Sequence, residues 1–374
     1  ALSRGEQVSA IWMVTAAISV YCIAYRFYSL YIANRVMQLD PNRLTPAERH
    51  NDGLDYVPTH KGVLFGHHFA AIAGAGPLVG PVLAAQMGYL PGTLWIIFGV
   101  VFAGAVQDMM VLFVSMRRDG KSLGDIVKQE LGTVPGVIAS IGILMIMVII
   151  MAVLALIVVK ALVHSPWGTF TIAATMPIAL FMGIYTRYIR PGKIGEISIV
   201  GFILLMLAVI YGEDVAHSSF GHWFDLDGIQ LTWAIMIYGF VASVLPVWLL
   251  LTPRDYLSTF LKIGTIAALA LGIVIVNPTL QMPAVTHFID GSGPVFSGAL
   301  FPFLFITIAC GAVSGFHALI SSGTTPKMVE NETHVRMIGY GGMIMESFVA
   351  IMALAAAASL DPGVYLSLIH ISEP

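Results

Sequence analysis

The chain has 374 residues, of which 57% are hydrophobic and 10% charged, and its formal net charge is −3. Its mean hydropathy is +0.86. Soluble domains carry about 25% charged residues, so this composition excludes a soluble globular protein, which could not cover its surface with polar groups. Basic residues form only short runs between apolar segments, and this pattern argues against a nucleic-acid partner.

Long apolar segments predict a membrane protein. A bilayer core about 30 Å thick needs roughly 20 apolar residues per helix, and such segments must be helical because lipid offers no partner to free backbone groups. The segments predict an all-α, polytopic transmembrane bundle of about ten spans. In chain order these are 8–31, 63–88, 92–116, 134–163, 168–187, 194–211, 230–251, 256–277, 297–322 and 341–360.

The connections between these spans alternate in charge. Lys or Arg residues occur in the first, third, fifth, seventh and ninth connections, whereas the connections between them carry none. Basic loops stay on the cytoplasmic side of a membrane. The alternation therefore predicts that the odd-numbered connections are cytoplasmic and that the first residues lie outside.

The second span contains several helix-breaking residues at mid-membrane depth. Gly74, Gly76 and Pro77 weaken a helix there and release backbone groups, which lipid tolerates only where protein or a water-filled cavity satisfies them. The ninth span repeats the pattern with one constant offset and no gap. Gly62, Gly66, His68, Gly74 and Pro77 coincide with Gly311, Gly315, His317, Gly323 and Pro326.

We interpret the coincidence as an internal repeat, with chance in a Gly-rich chain as the alternative. The second copy starts an odd number of predicted spans later, so the two copies run in opposite directions. Inverted repeats with discontinuous helices are typical of secondary transporters, where half-helix ends bind anions and freed carbonyls bind cations. We therefore expect breaks at Gly74–Pro77 and Gly323–Pro326 that face one shared cavity.

Ionisable residues within the spans are functional candidates, because a charge at membrane depth costs several kcal/mol. Asp108 is the first candidate for proton coupling, with a salt bridge to Arg117 or Arg118 as the alternative. His68 and His317 come next, although either can be a hydrogen-bonded structural histidine. The candidate substrate- or ion-binding residues are Asp108, His67, His68, Gly74, Gly76, Pro77, His317, Ser321, Gly323, Thr324 and Glu346.

Two of these candidates carry hydroxyl groups beside Gly323. Ser321 and Thr324 can cap backbone groups freed by the break or bind a substrate carboxylate, and the sequence favours neither role. The two cysteines, Cys22 and Cys310, lie in apolar segments without metal-ligand spacing. No phosphate-binding loop or catalytic motif is present. We therefore expect no cofactor, no bound metal and no enzymatic activity.

Five stretches of the chain together carry a family resemblance. They are RHNDGLDYVPTHKGVLFGHHFAAIAGAGPLVGPVLAAQMGYLPG, GAVQDMMVLFVSMRRDGKSLGD, MGIYTRYIRPGKIGE, LPVWLLLTPRDYLSTFLKIGT and FPFLFITIACGAVSGFHALISSGTTPKM. With them the chain resembles the carbon starvation protein A family over about Arg4 to Tyr365. The resemblance implies a multi-pass inner-membrane protein of bacteria, induced on carbon starvation, that takes up peptides or pyruvate with protons. It also implies the inverted-repeat fold of the amino acid–polyamine–organocation superfamily, and it assigns no binding residue.

Family members are longer and begin with another hydrophobic helix, so we expect this chain to be the N-terminal half of such a protein. We expect residues 1–366 to form the transmembrane transporter domain. The final residues, SLIHISEP at 367–374, no longer match the family and are expected to be a non-native tail.

The predicted function is secondary active transport of a small carboxylate-bearing nutrient, a peptide or pyruvate, by alternating access. We expect coupling to protons, with sodium left open, and the lipid bilayer as the surrounding medium. An ion channel and a membrane-embedded starvation sensor or enzyme are the alternatives.

Overall fold

The computed structural model describes residues 8–371, with side chains through Ser367. This part of the chain contains helices and two isolated β-bridges, Ser9 with Thr279 and Thr59 with Val329, and no β-strand. The all-α prediction is therefore confirmed. The predicted tail at 367–374 lies partly outside the described residues and stays a prediction.

The main helices are closely spaced along the chain except at residues 37–60 and 277–308, which contain only short helical turns. In chain order they are α1 (Ala10–Val36), α2 (Lys61–Ile72), α3 (Gly76–Met87), α4 (Tyr89–Arg117), α5 (Leu123–Leu131), α6 (Thr133–Leu162), α7 (Pro166–Ile189), α8 (Ile194–His217), α9 (Gly228–Val244), α10 (Leu251–Val276), α11 (Ala309–Ala312), α12 (Gly315–Ser321), α13 (Glu332–Ala358) and α14 (Pro362–Ile371).

Among the described residues, seven helices are long and apolar enough to cross a bilayer, namely α1, α4, α6, α7, α8, α10 and α13. Helices α2 and α3 pass the same test together, as a pair bent by 45°. The predicted span at 230–251 corresponds to the shorter helix α9, and that at 297–322 to a series of short helices that ends with α11 and α12. The count of about ten spans and the assignment of sides stay predictions.

Helices α13 and α4 form the centre of the bundle. In their most apolar stretches, 72% of α13 and 56% of α4 is buried inside the protein, against 0% of α6. The exposed surface of α6 is apolar, as expected for a lipid-facing helix. Small residues let α13 approach its neighbours closely: a Cβ added at Gly311 would lie only 2.5 Å from the Cβ of Ala350.

A buried carboxylate ties the first connection to the ends of α4 and α13. Glu332 is fully buried. Both of its oxygens accept hydrogen bonds from Nε of Arg117 at 3.2 Å, and Nε of Arg43 lies 3.7 Å from Oε2. The backbone N–H of Asp40 donates to Oε1 at 3.2 Å. Residues far apart in sequence are thereby joined at one charged centre, which the sequence analysis did not identify.

We expect Glu332→Ala to lower the free energy of unfolding by about 3 kcal/mol, because it leaves Arg117 without its carboxylate partner. The melting temperature in detergent measures this loss. Glu330→Ala is the matched control, since Glu330 is exposed two residues away. Equal melting temperatures for both variants would show that the centre contributes nothing to stability.

Candidate functional site

The first helix break lies between α2 and α3. Helix α2 ends at Ile72, Ala73 leaves the helical conformation at φ −80° and ψ 67°, and α3 begins at Gly76 with Pro77 in its first turn. Proline has no amide hydrogen to continue the preceding helix. The interruption therefore falls at residues 73–75, directly before the predicted Gly76 and Pro77.

The second interrupted segment corresponds to the ninth predicted span, and from α11 onward it is broken twice. Helix α12 ends at Ser321, and Thr325–Lys327 forms a single 3₁₀ turn, so this break falls at 322–324. An additional break at Val313 and Ser314 separates α11 from α12. There the carbonyl of Ser314 accepts a hydrogen bond of 2.6 Å from the side-chain amide of Gln107.

The two breaks that the repeat predicted thus occupy equivalent positions, 73–75 and 322–324. The helices around them differ, because α2 is continuous where the second segment has its additional break, and α3 is long where the second segment has one 3₁₀ turn. The relation between the copies as an inverted repeat stays a prediction.

Helix α10 satisfies backbone and side-chain groups along α2. Asp255, Thr259 and Lys262 are four and three residues apart and share one helix face. Asp255 Oδ2 lies 3.0 Å from Nδ1 of His67, and the hydroxyl of Thr259 donates to the carbonyl of Gly66 at 2.8 Å. Lys262 reaches the break itself, where Nζ donates to two backbone carbonyls.

The sequence analysis named neither Lys262 nor Asp255 as a candidate. The guanidinium of Arg254 lies 4.0 Å from Asp255, and His67 is the closer partner. The signal for both residues was their helical spacing at the start of and within the predicted span 256–277, which places their charges on one face.

Four ionisable side chains meet between α4, α11, α12 and α13. His317 lies between two carboxylates: Nδ1 is 3.2 Å from Asp108 Oδ2 and Nε2 is 2.9 Å from Glu346 Oε2. All three side chains are buried. Sγ of Cys310 lies 3.5 Å from Glu346 Oε1 and 4.0 Å from His317 Nε2. We call Asp108, His317, Glu346 and Cys310 the charged cluster.

The structure excludes one sequence interpretation of Asp108, the salt bridge to Arg117 or Arg118, and its role in proton coupling stays a prediction. Arg117 binds Glu332, and Arg118 Nε donates to Glu130 at 3.0 Å, so neither arginine is the partner of Asp108. An imidazolium donates from both ring nitrogens, whereas a neutral imidazole donates from one. Binding of His317 to both carboxylates at once therefore requires one additional proton in the charged cluster, carried either by His317 or, as an O–H donor, by Asp108 or Glu346.

The charged cluster also has the donor set of a metal site. One ligand atom each from Cys310, His317 and Glu346 lies within 4.8 Å of the others. A histidine whose second nitrogen bonds a carboxylate, as His317 does with Asp108, is common around bound metals. These three side chains can hold a divalent cation, although the direct contact of 2.9 Å between His317 and Glu346 has the length of a hydrogen bond.

His68 links the two interrupted segments. Its side chain is fully buried on α2, and its Nδ1 lies 3.0 Å from Oγ1 of Thr325, directly after the second break. Its Nε2 and the hydroxyl of Ser321 have no hydrogen-bond partner among the described residues. Unpaired buried polar atoms are costly, so these two groups are available to a ligand or to water.

The breaks line separate cavities instead of the shared one that we expected. Gly323 and Thr324 line a cavity of about 570 Å³ together with His67 and Asp255. Gly74 lines a smaller cavity of about 240 Å³ beside Lys262. Helix α2 separates the two cavities. His67, within α2, lines the cavity of about 570 Å³, and Ala73, directly after its end, lines the cavity of about 240 Å³.

The cavity of about 570 Å³ continues toward the connections with basic residues. A third cavity, of about 790 Å³, shares Ser122, Ser322, Gly323 and Thr324 with it. This third cavity is lined by residues of the first and third connections, among them Asp52 and Lys121. Three backbone N–H groups, of Leu54, Asp55 and Tyr56, bond to Asp52 and hold the pKa of its carboxyl below the ordinary value.

Comparison with known proteins gives one consistent family. The family model described as carbon starvation protein CstA matches residues 9–372. Peptide transporter CstA of Escherichia coli K12 is 70% identical over 98% of this chain and 53% of that protein. Pyruvate/proton symporter BtsT of the same strain is 66% identical over 98% and 52%. Peptide transporter CstA of Bacillus subtilis 168 is 48% identical over 96% and 60%.

The chain thus spans about half the length of the first two of these relatives. No solved structure matches it significantly.

The glycines of the first break differ in the space around them. A Cβ added at Gly76 would lie 2.5 Å from Sγ and 2.7 Å from Cβ of Cys310, whereas one added at Gly74 meets nothing within 4 Å. We expect Gly76→Ala to lower the melting temperature by several degrees, because overpacking costs about 1–3 kcal/mol. Gly74→Ala, its matched control, should melt like the wild type. If Gly74→Ala melted at a lower temperature than Gly76→Ala, the close contact between Gly76 and Cys310 would be contradicted.

Proposed function

The chain belongs to the carbon starvation protein CstA family, and we propose that it forms the membrane core of a secondary transporter that imports peptides or pyruvate with protons across the bacterial inner membrane. The names of two relatives, a peptide transporter and a pyruvate/proton symporter, support both the substrate class and the coupling ion. The charged cluster carries the proposal, because it places protonatable groups at the centre of the bundle.

The substrate binds in the cavity of about 570 Å³, within the usual 300–1,000 Å³ of small-molecule sites. Peptides and pyruvate share a carboxylate, and His67, Ser322 and Thr324 offer donors to it from the cavity wall. Asp255, also on the wall, offers an acceptor for the amino group of a peptide. Apolar residues of α6, such as Leu144 and Met147, line the remainder and accommodate side chains of variable size.

Proton coupling takes place at the charged cluster. Without the additional proton in the charged cluster, His317 can bind only one of Asp108 and Glu346, and a buried carboxylate without its partner is costly. Protonation therefore holds α4, α12 and α13 together, and deprotonation loosens them. Helix α12 ends at the break that lines the substrate cavity, so the proton and the substrate act on the same short helix.

Alternating access follows from the two interrupted segments. We propose that residues 1–366 belong to one transport domain of about ten spans, in which the two segments are inverted repeats that rock against the other helices. The cavity that joins the substrate site at Ser322, Gly323 and Thr324 forms the exit toward the cytoplasm.

Removing one charge of the cluster should separate proton coupling from substrate exchange. We expect Glu346→Gln to reduce pH-gradient-driven uptake of labelled pyruvate or dipeptide by about 5- to 150-fold, the usual range of coupling energies. Exchange of internal for external substrate at equal pH should continue. Both rates are measured with the full-length protein in proteoliposomes.

Glu213→Gln is the matched control, because Glu213 is exposed at the end of α8. Retained gradient-driven uptake in Glu346→Gln would remove the coupling role of the cluster. Unitary currents in the wild type would favour the channel alternative, and the absence of any flux with either substrate would favour a sensor.

A further inference from the structure

The first break leaves two backbone carbonyls, those of Ala70 and Ala73, without their helical hydrogen-bond donors. In a continuous helix the carbonyl of Ala70 accepts from the N–H of Gly74, but that N–H bonds to the carbonyl of Ile72 here. The carbonyl of Ala73 would accept from residue 77, which is a proline without an amide hydrogen. Two acceptors are therefore left at the end of a half-helix, deep in the apolar part of the chain.

Lys262 satisfies both acceptors. Its Nζ lies 2.8 Å from the carbonyl oxygen of Ala70 and 2.8 Å from that of Ala73. The adjacent cavity of about 240 Å³ is otherwise lined mainly by apolar residues such as Leu78, Ile266 and Val349. An ammonium group in such surroundings depends on these carbonyls for its stability.

The position of Lys262 is fixed by close packing between α2 and α10. A Cβ added at Gly66 would lie 2.7 Å from Cδ2 of Tyr256, so no larger residue fits between the helices there. The hydroxyl of Thr259, one turn before Lys262, donates to the carbonyl of Gly66 at 2.8 Å. The ammonium is thereby held at the break by its own helix.

Carbonyls at the ends of discontinuous helices are the groups that coordinate sodium in many transporters. We propose that Lys262 is a built-in cation that occupies this position at the first break, so that no metal cation binds there during transport. A second cation beside the ammonium would meet repulsion at close range. The inference rests on the proposed transport function and specifies its coupling ion at this break: the carbonyls of Ala70 and Ala73 serve Lys262 and not sodium.

The melting temperature of the full-length protein tests the proposal without requiring transport. At constant ionic strength, wild type should melt at the same temperature in sodium chloride and in choline chloride. Lys262→Ala should melt about 5 °C lower or more, because two buried carbonyls lose their partner. Methylammonium, a small cation that fits the vacated end of the side chain, should restore part of this loss in Lys262→Ala and have no effect on wild type.

Lys160→Ala is the control for removal of a lysine from an apolar helix, since Lys160 is exposed at the end of α6, and it should melt like the wild type. Lys262→Arg tests the proposal if Lys262→Ala does not fold. Arginine keeps a cation with several hydrogen-bond donors at this position, so Lys262→Arg should retain at least half of the wild-type folded yield.

Two results would overturn the proposal: stabilisation of wild type by sodium over choline, or equal melting of Lys262→Ala and Lys160→Ala. Wild-type uptake that requires sodium without such stabilisation would instead refute the proposed proton coupling. A protein that shows the expected melting pattern but no uptake of any substrate would retain the role of Lys262 and refute the transport function. The two failures are therefore distinguishable.

Discussion

Every backbone group inside a bilayer needs a partner within the protein, and the first helix break is organised around this constraint. Pro77 and the turn at 73–75 remove two helical hydrogen bonds, and the ammonium of Lys262 replaces them. The second segment follows the same rule with a different partner, because the carbonyl of Ser314 accepts from Gln107. A side chain from a neighbouring helix thus accompanies each of these breaks, so that bending one helix is linked to the position of another.

The buried charges follow a related rule. His317 lies between Asp108 and Glu346, His67 faces Asp255, and Glu332 binds two arginines. Buried ion pairs contribute little net stability compared with apolar packing, although losing one partner is costly. Such ion pairs therefore add little to the free energy of unfolding. They are well suited to a conformational switch, since one proton changes which contacts are favourable. This supports a functional role for the charged cluster.

Close packing places these groups. Gly76 lies against Cys310 of the charged cluster, and Gly80 of the same helix would bring a Cβ within 2.3 Å of the carbonyl oxygen of Thr307. Helix α3 is therefore in contact with the second segment along its length. The periphery differs, because the apolar face of α6 is exposed. A tightly packed centre surrounded by helices with exposed apolar faces is compatible with motion of the centre against its surroundings.

The sequence by itself determined the helical membrane class, most of the span positions and the site of the first break, because lipid imposes apolar length and because Gly and Pro act on the local backbone. It also singled out Asp108, His317 and Glu346 as costly charges, since that cost depends on burial in lipid and not on a particular neighbour. Only the tertiary structure decided the partners: Asp108 pairs with His317 and not with Arg117, Lys262 reaches Ala70 and Ala73, and the two breaks line separate cavities. These choices join residues far apart in the chain, and they follow from how helices pack at fixed distances and angles, which local composition does not encode.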